Sequence, residues 1–174
     1  MRQYGILLIL GFVLAFIAFQ ARTGIFRRAN PGEPANKYTR AMMEEQRLSE
    51  TEQALIKQNY ADAIITTSGL RYVVRVAGAG DPPAHGAQVT AHYEGRLLDG
   101  GEKFDSSRDR GKPYSFRVST GVVIKGWDEA FASMRTGEKR TLIIPWWLAY
   151  GQQGKGTIPP RATLVFEVEL LSIQ

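Results

Sequence analysis

The feature that most constrains the fold is a period-two alternation of apolar and polar residues that recurs from Thr66 onward. Side chains on a β-strand point alternately to the two faces of a sheet, so this pattern predicts strands with one buried face. Turn-forming sequences such as Gly78–Gly86 and Asp99–Gly101 separate the strands. The predicted strands have the inward rows Leu70, Tyr72, Val74 and Val76; Val89, Ala91 and Tyr93; Tyr114, Phe116 and Val118; and Leu164, Phe166, Val168 and Leu170; a further strand covers Arg140–Ile144.

One helical pattern interrupts these strands. Ile124, Trp127, Phe131 and Met134 recur at spacings of three and four residues, and Gly137 stands where a helix C-terminal cap is expected. Strands and helices do not alternate along the chain, which argues against a parallel sheet built from βαβ units. We therefore predict an α+β fold in which about five antiparallel strands pack their apolar face on one short helix.

The segment before this domain has a different composition. Ile6–Phe19 is apolar except for Gly11, and its 14 residues match a signal-peptide core but are short for a membrane span. One arginine precedes this run and three follow it within residues 22–28, which argues mildly against export of the C-terminal part. We predict that residues 1–28 are a signal peptide or signal anchor and that, if uncleaved, residues 6–19 contact the membrane. The protein is then membrane-anchored or exported to the periplasm; a membrane-anchored domain facing the cytoplasm is the alternative.

Residues 29–65 are predicted to connect this segment to the domain. Ala29–Asn36 contains two prolines and a glycine and reads as a linker, whereas Lys37–Ala63 is rich in helix-forming residues. Ser49–Glu52 fits a capping box, which predicts a new helix starting near Ser49. The favoured interpretation is a solvated spacer helix that holds the domain off the membrane. A weak apolar stripe with a seven-residue repeat leaves dimerisation as the alternative.

The composition excludes several kinds of chemistry. Cysteine is absent, so disulfides, thiol catalysis and cysteine-ligated zinc are excluded. The two histidines, His85 and His92, have no partner at metal-ligand spacing, and no G-x-S-x-G motif is present. The net charge of +5 is spread along the chain, so no nucleic-acid partner is expected. We expect neither a metal nor another cofactor.

A glycine-rich loop and many aromatic residues mark the C-terminal part as the place for a pocket. The loop starts at Tyr150-Gly151, carries Lys155, and reaches Ile158-Pro159-Pro160 before an apolar strand. A flexible loop rooted in rigid aromatic and strand residues commonly forms one wall of a binding site. This stretch holds no nucleophile or metal ligand, so such a site would act by shape, desolvation and a hydroxyl group. A plain aromatic core is the alternative that composition alone favours.

Three strings occur in order along the chain: HYEGRLLDGGEKFDSSRDRGKPYSF, VIKGWDEAF and AYGQQGKGTIPPRATLVFEVELL. Together they resemble the FKBP-type peptidyl-prolyl cis-trans isomerases over about residues 66–174. The resemblance implies a five- to six-stranded antiparallel sheet wrapped around one short helix, with a pocket between them. It also implies an enzyme that accelerates X-Pro bond rotation in unfolded or partly folded proteins and that binds macrolide inhibitors.

The resemblance carries roles to individual positions of this chain. Trp127 matches the floor of the family pocket, and Tyr150 matches a tyrosine whose hydroxyl bonds a ligand carbonyl. Arg110 matches the arginine that orients the aspartate and tyrosine beside it. The residues implied as catalytic are Tyr93, Phe104, Asp105, Trp127, Tyr150 and Phe166, and those implied as substrate-binding are Arg110, Tyr114, Phe116, Val123, Ile124 and Ile158.

The chain departs from the family pattern at three places. The turn Asp99–Glu102 is one residue longer than usual, and the loop Gln152–Thr157 is slightly short and carries Lys155. Trp146-Trp147 replaces a polar or proline pair. Neighbouring positions of an extended segment face opposite sides, so at least one of these tryptophans is expected to be exposed. A binding module without isomerase activity is the alternative function, against which the complete set of pocket residues argues.

Overall fold

Seven antiparallel strands and two α-helices make up residues 45–174, the part of the chain that the computed structural model describes. The predicted α+β fold is confirmed, although the sheet has seven strands rather than about five. The elements in chain order are α1 (Glu50–Asn59), β1 (Ile64–Ile65), β2 (Arg71–Val76), β3 (Gln88–Leu97), β4 (Lys103–Ser106), β5 (Tyr114–Arg117), α2 (Lys125–Phe131), β6 (Lys139–Ile144), a 3-10 helix (Trp146–Leu148) and β7 (Leu164–Ile173).

The strands lie in the order β1-β2-β6-β7-β3-β4, and β5 also pairs with β3. The long strand β3 pairs with β7 along one side, and on the other side β4 and β5 pair with different parts of it. Strand β7 is central, with Val168 opposite Arg140 of β6 and Tyr93 of β3. The sequence pattern missed β1, which has only two residues, and β4, whose sequence KFDS contains a single apolar residue, because neither strand can display an alternation of apolar and polar residues.

Helix α2 covers the inner face of the sheet. The predicted inward row of β7 is buried, and Phe131 and Met134 of the helical segment are fully buried against the same core. Burial of each such side chain contributes about 1.5–3 kcal/mol to stability. The helix ends at Phe131 and is capped by Ala132, so the prediction of Gly137 as its cap is wrong. Gly137 instead lies in the turn before β6, where its N–H donates to Leu170.

Strand β2 departs from its predicted inward row. Leu70 is buried as expected, but Val74 and Val76 are 43% and 47% exposed, whereas Val73 is buried. The regular pairing of β2 with β6 is interrupted between Val74 and Val76. Such a bulge bends and twists the strand, and here the end of β2 leaves the core. The prediction that Val74 and Val76 point inward is therefore wrong.

Helix α1 covers part of the outer face. The predicted capping box is present: the Ser49 hydroxyl accepts from the Glu52 N–H at 3.2 Å, and the Glu52 carboxylate accepts from the Ser49 N–H at 2.8 Å. Such a cap contributes about 1 kcal/mol. Ile56 packs with Ile143 and Val165, the outward-facing apolar residues of β6 and β7. This packing differs from the solvated spacer that the sequence favours, since α1 lies within the compact unit that begins at Leu48.

The predicted targeting run Ile6–Phe19 and the predicted linker Ala29–Asn36 lie outside the described residues. Within residues 45–174, no helix combines the length and the apolar character needed to span a membrane.

Candidate active site

A cavity of about 800 Å³ opens beside α2 at the inner face of the sheet. Strands β3, β4, β5 and β7 each contribute aromatic side chains to it, and α2 contributes its tryptophan. The segment before α2 and the loop after the 3-10 helix form the remaining walls. The lining residues are Tyr93, Phe104, Asp105, Tyr114, Gly121, Val122, Val123, Ile124, Lys125, Trp127, Trp147, Ala149, Tyr150, Gly151, Lys155 and Phe166.

Trp127 forms a buried aromatic wall of the cavity, with 5% of its area exposed. Its ring meets Tyr93 and Phe166 edge to face, at centroid distances of 4.9 Å and 5.2 Å. Phe116 and Phe131 pack against Trp127 at 5.7 Å and 5.4 Å. Edge-to-face contacts of this kind contribute about 0.5–1.5 kcal/mol each beyond area burial. The indole is therefore held in one orientation by rings on several sides.

Gly95 allows two cavity rings to approach the backbone of β3. A Cβ atom at this position would lie 2.6 Å from the nearest ring carbon of Phe104 and 2.6 Å from that of Phe166. The two rings themselves meet edge to face at 5.5 Å. Any side chain at position 95 would therefore displace one or both walls.

We expect Gly95→Ala to destabilise the domain by about 1–3 kcal/mol, because a methyl group must be accommodated in a filled space. The displaced rings should also weaken binding of any cavity ligand. Thermal unfolding together with titration of a macrolide inhibitor measures both effects. An unchanged melting temperature with unchanged affinity would contradict the close packing described here.

Tyr93, Asp105 and Arg110 form a polar network at one side of the cavity. The Tyr93 hydroxyl donates to Asp105 at 2.5 Å, and the Arg110 guanidinium donates to the Tyr93 oxygen at 2.7 Å and to the Asp105 carboxylate. Burial, reinforced by the hydrogen bond to Asp105, raises the pKa of Tyr93 to about 12. Burial alone would raise the pKa of Asp105, but the hydrogen bonds from Tyr93 and Arg110 together hold that pKa below its ordinary value. The network is therefore a neutral phenol bonded to a carboxylate.

Tyr150 carries a hydroxyl that makes no hydrogen bond to another residue in the described part of the chain. Burial, followed by the negative charge of Asp105, raises the pKa of this phenol. Ile124, which also lines the cavity, is the N-cap of α2, so its N–H is not used within the helix. Asp128 fixes the segment before Ile124 by accepting from the N–H groups of Ser119 at 2.9 Å and Gly121 at 2.7 Å. The cavity thus presents a neutral hydroxyl donor and a backbone donor to a ligand.

The structure brings nine of the twelve predicted site residues to this cavity. The other three do not line it. Phe116 is buried against Trp127 and Tyr114, and Ile158 is buried in the same core. Arg110 reaches the site through its bonds to Asp105 and Tyr93.

The prediction that Trp146 or Trp147 is exposed is wrong. The segment is a 3-10 helix rather than an extended strand, so adjacent side chains do not point to opposite faces. Trp146 is buried, and the Arg161 guanidinium lies 5.1 Å from the centre of its ring. Trp147 is half-buried, donates from Nε1 to the Ser68 carbonyl at 3.0 Å, and lines the cavity.

Sequence reasoning also missed Lys125, Lys155 and Val122 as lining residues. Lys125 and Val122 flank the predicted Val123-Ile124 pair, so their proximity in sequence was an available signal. Lys155 lies in the glycine-rich loop that the sequence predicts as a pocket wall, but the sequence did not assign it as a site residue. Among residues 45–174, no group of three side chains has the composition and spacing of a metal site.

Comparisons with known proteins agree with this geometry. A sequence model of the "FKBP-type peptidyl-prolyl cis-trans isomerase" family matches residues 80–171. The chain is 47% identical over 108 residues to the peptidyl-prolyl cis-trans isomerase Fkbp12 of Drosophila melanogaster, covering 61% of this chain and 99% of that protein. It is 54% identical over 90 residues to FK506-binding protein 2B of Rhizopus delemar, covering 51% of this chain but only 43% of that longer protein.

A solved structure supports the same assignment. The crystal structure of FkpA from Escherichia coli superposes with a TM-score of 0.63 at 34% identity, covering 94% of this chain and 71% of that one. The matches span about half to two thirds of several FK506-binding protein 2 relatives, at 66% for that of Emericella nidulans and 48% for that of Podospora anserina. The family model alone covers more than half of the chain, and the resemblance found in the sequence is confirmed. The chain belongs to the FKBP-type peptidyl-prolyl cis-trans isomerase family.

Proposed function

We propose that this protein catalyses the cis-trans isomerisation of X-Pro peptide bonds in unfolded or partly folded proteins. The observation that carries the proposal is the aromatic cavity, in which Trp127, Phe166 and Tyr93 surround a space large enough for a proline and its neighbours. Relatives named as peptidyl-prolyl isomerases support the same activity.

The reaction requires only rotation about one bond. Amide resonance sets a barrier of about 18–20 kcal/mol, and uncatalysed exchange of an X-Pro bond takes tens to hundreds of seconds. The twisted transition state has lost that resonance and separates less charge than the planar amide. A cavity walled by Trp127 and Phe166 therefore favours the twisted form over the planar form, which prefers water. Each 1.36 kcal/mol removed from the barrier accelerates the reaction about tenfold.

The polar groups of the cavity hold the substrate rather than exchange protons with it. In this proposal the Tyr150 hydroxyl and the Ile124 N–H donate to carbonyl oxygens on the two sides of the proline. Asp105 keeps the Tyr93 ring in place, with Arg110 as its counter-ion. These are positioning interactions, and no covalent intermediate or bound metal enters the scheme.

Exchange NMR spectroscopy on a short peptide with one X-Pro bond tests the proposal directly. The native protein should increase the cis-trans exchange rate in proportion to its concentration, and Tyr150→Phe should reduce kcat/KM by about tenfold through loss of one hydrogen bond. A folded native protein that binds the peptide without changing the exchange rate would favour a binding module instead.

The isomerase rate is expected to be flat between about pH 6 and pH 9. The pKa of Asp105 lies below its ordinary value of 3.8 and that of Tyr93 is about 12, so neither group changes protonation in this range. Asp105→Asn should retain substantial activity with the same flat profile. A wild-type titration near neutrality that disappears in Asp105→Asn would instead identify a general base.

We further propose that a macrolide of the FK506 type competes with substrate for this cavity, as the names of several relatives suggest for those proteins. Competition in the same NMR assay checks this point.

We also propose that Ile6–Phe19 targets the protein to a membrane, either as a cleaved signal or as an anchor that keeps the domain at the membrane surface. Its apolar character supports membrane targeting, and the three arginines that follow it favour an anchor whose domain is not exported. Mass spectrometry of the native N-terminus, combined with fractionation of membranes, distinguishes the two forms. Recovery of the intact chain in the soluble fraction alone would contradict both.

A further inference from the structure

Two lysines give the mouth of the cavity a positive charge. Lys125 and Lys155 both line the cavity and are exposed. In the described part of the chain, neither ammonium group lies within ion-pair distance of a carboxylate. The third charged lining residue, Asp105, is ion-paired with Arg110. The lining residues of the cavity therefore carry unbalanced positive charge, which comes from the two lysines.

The backbone around Lys155 is closed into a tight turn. The Lys155 N–H donates to the Ile158 carbonyl at 3.0 Å, and the Ile158 N–H donates back to the Lys155 carbonyl at 2.9 Å. Gly154 precedes this pair with a φ of +71°, and a Cβ atom there would lie 2.2 Å from the Ile158 oxygen. Only glycine fits at position 154, and the turn it permits fixes the Cα of Lys155 beside the cavity.

The side chain of Lys155 is directed by an aromatic neighbour. Its ammonium nitrogen lies 5.4 Å from the centre of the Tyr150 ring, within the range of a cation–π interaction. Tyr150 is the residue whose hydroxyl remains free for a ligand. The positive charge is thus held next to the position where the peptide chain on one side of the proline must pass.

We infer that Lys155, together with Lys125, makes the enzyme select X-Pro sites flanked by acidic side chains over sites flanked by basic ones. This inference rests on the proposed isomerase function and deepens it by naming a substrate class. Both lysines line the cavity, so a glutamate beside the bound proline would approach an exposed ammonium group, and at 0.1 M salt attraction acts over a Debye length of about 10 Å. Two partly exposed charges at such distances change kcat/KM by about three- to tenfold between an acidic and a basic peptide.

Three blocked peptides of identical length test the inference: one with glutamate on both sides of the proline, one with leucine and one with lysine. Exchange NMR spectroscopy gives kcat/KM for each without a coupling protease. The native protein should prefer the glutamate peptide to the lysine peptide by about three- to tenfold. In 1 M NaCl, where the Debye length falls to about 3 Å, the preference should largely disappear.

Charge reversal locates the effect. Lys155→Glu should remove or invert the preference. The readout is the ratio of kcat/KM between the glutamate and lysine peptides, so a general loss of activity, which lowers kcat/KM for all three peptides alike, divides out. Lys57→Glu is the matched control, since it makes the same change in net charge on α1, which packs on the opposite face of the sheet. The inference is overturned if Lys155→Glu keeps the native ratio, if Lys57→Glu alters the ratio equally, or if the native protein shows no preference. Inactivity of the folded native protein on all three peptides, the leucine peptide included, would instead refute the isomerase function itself.

Discussion

Trp127→Ala is expected to destabilise the domain by about 3–5 kcal/mol and to reduce binding of a cavity ligand at least tenfold. The indole is 5% exposed and is in contact with aromatic rings from β3, β5, β7 and its own helix. Its removal leaves an empty volume that the rigid sheet is unable to fill by collapse. Chemical denaturation gives the stability change, and titration of a macrolide inhibitor at a temperature where the variant is folded gives the binding change.

Phe131→Ala separates the two effects. Phe131 lies one turn later on α2, is fully buried and contacts Trp127 at 5.4 Å, but does not line the cavity. The Phe131→Ala variant should lose about as much stability as Trp127→Ala while keeping most of the native affinity for the ligand. Equal affinities for the folded Trp127→Ala and native proteins would remove Trp127 from the binding site.

Arg140→Leu is expected to cost about 3–5 kcal/mol, because it leaves Glu138 as an uncompensated buried charge. The two side chains form an ion pair at 2.6 Å in which each is 6% exposed. The guanidinium also donates to the Ser133 hydroxyl at 2.8 Å and to its carbonyl at 3.1 Å, beyond the C-terminal end of α2. Loss of Arg140 therefore removes the counter-ion of Glu138 and the hydrogen-bond donor to Ser133, which lies just after α2.

The double variant Glu138→Gln, Arg140→Leu tests the origin of this loss. Glutamine can still accept from the Arg135 N–H, as the Glu138 carboxylate does at 2.8 Å, but it carries no charge. The double variant should recover part of the stability that Arg140→Leu loses. Lys139→Leu is the control on the same strand. In its ion pair with Glu169 the lysine is 47% exposed and the glutamate 20%, and the pair should contribute at most about 1 kcal/mol. If Arg140→Leu and Lys139→Leu lose equal stability, the buried ion pair contributes no more to the free energy of unfolding than the more exposed pair does, and the prediction is wrong.

The sequence was most informative where long strands bury one face. In β3 and β7 every second residue reaches the core, so Val89, Ala91, Tyr93 and the row of β7 follow the period of two. The same rule failed in β2. The strand has a bulge near its end, and the exposed Val74 and Val76 are as apolar as buried residues, so the sequence pattern does not show the change. It also had no means of showing that α1 packs on Ile143 and Val165, since helix docking depends on the outward residues of two strands distant in sequence.

For the site, family resemblance brought together residues that no spacing rule connects. Tyr93, Trp127 and Phe166 are separated by more than thirty residues along the chain and meet only because β3 and β7 pair and α2 crosses them. Lys155 and Trp147 were noted in the sequence but not assigned as site residues, because they occupy positions where this chain departs from the family pattern. Their placement depends on a tight turn and a 3-10 helix, whose geometry periodicity does not reveal.

The central position of β7 has a consequence for how the protein forms during synthesis. Residues 164–173 separate β6 from β3, so neither half of the sheet has its full complement of hydrogen bonds until they join. At a translation rate of about 5–20 residues per second, β3 waits several seconds on the ribosome for its partner. During that interval apolar strands with unpaired edges are accessible to other molecules. A nascent chain whose residues 164–173 have not yet emerged from the ribosome should accordingly stay sensitive to protease. Emergence of these residues should convert it to a resistant domain.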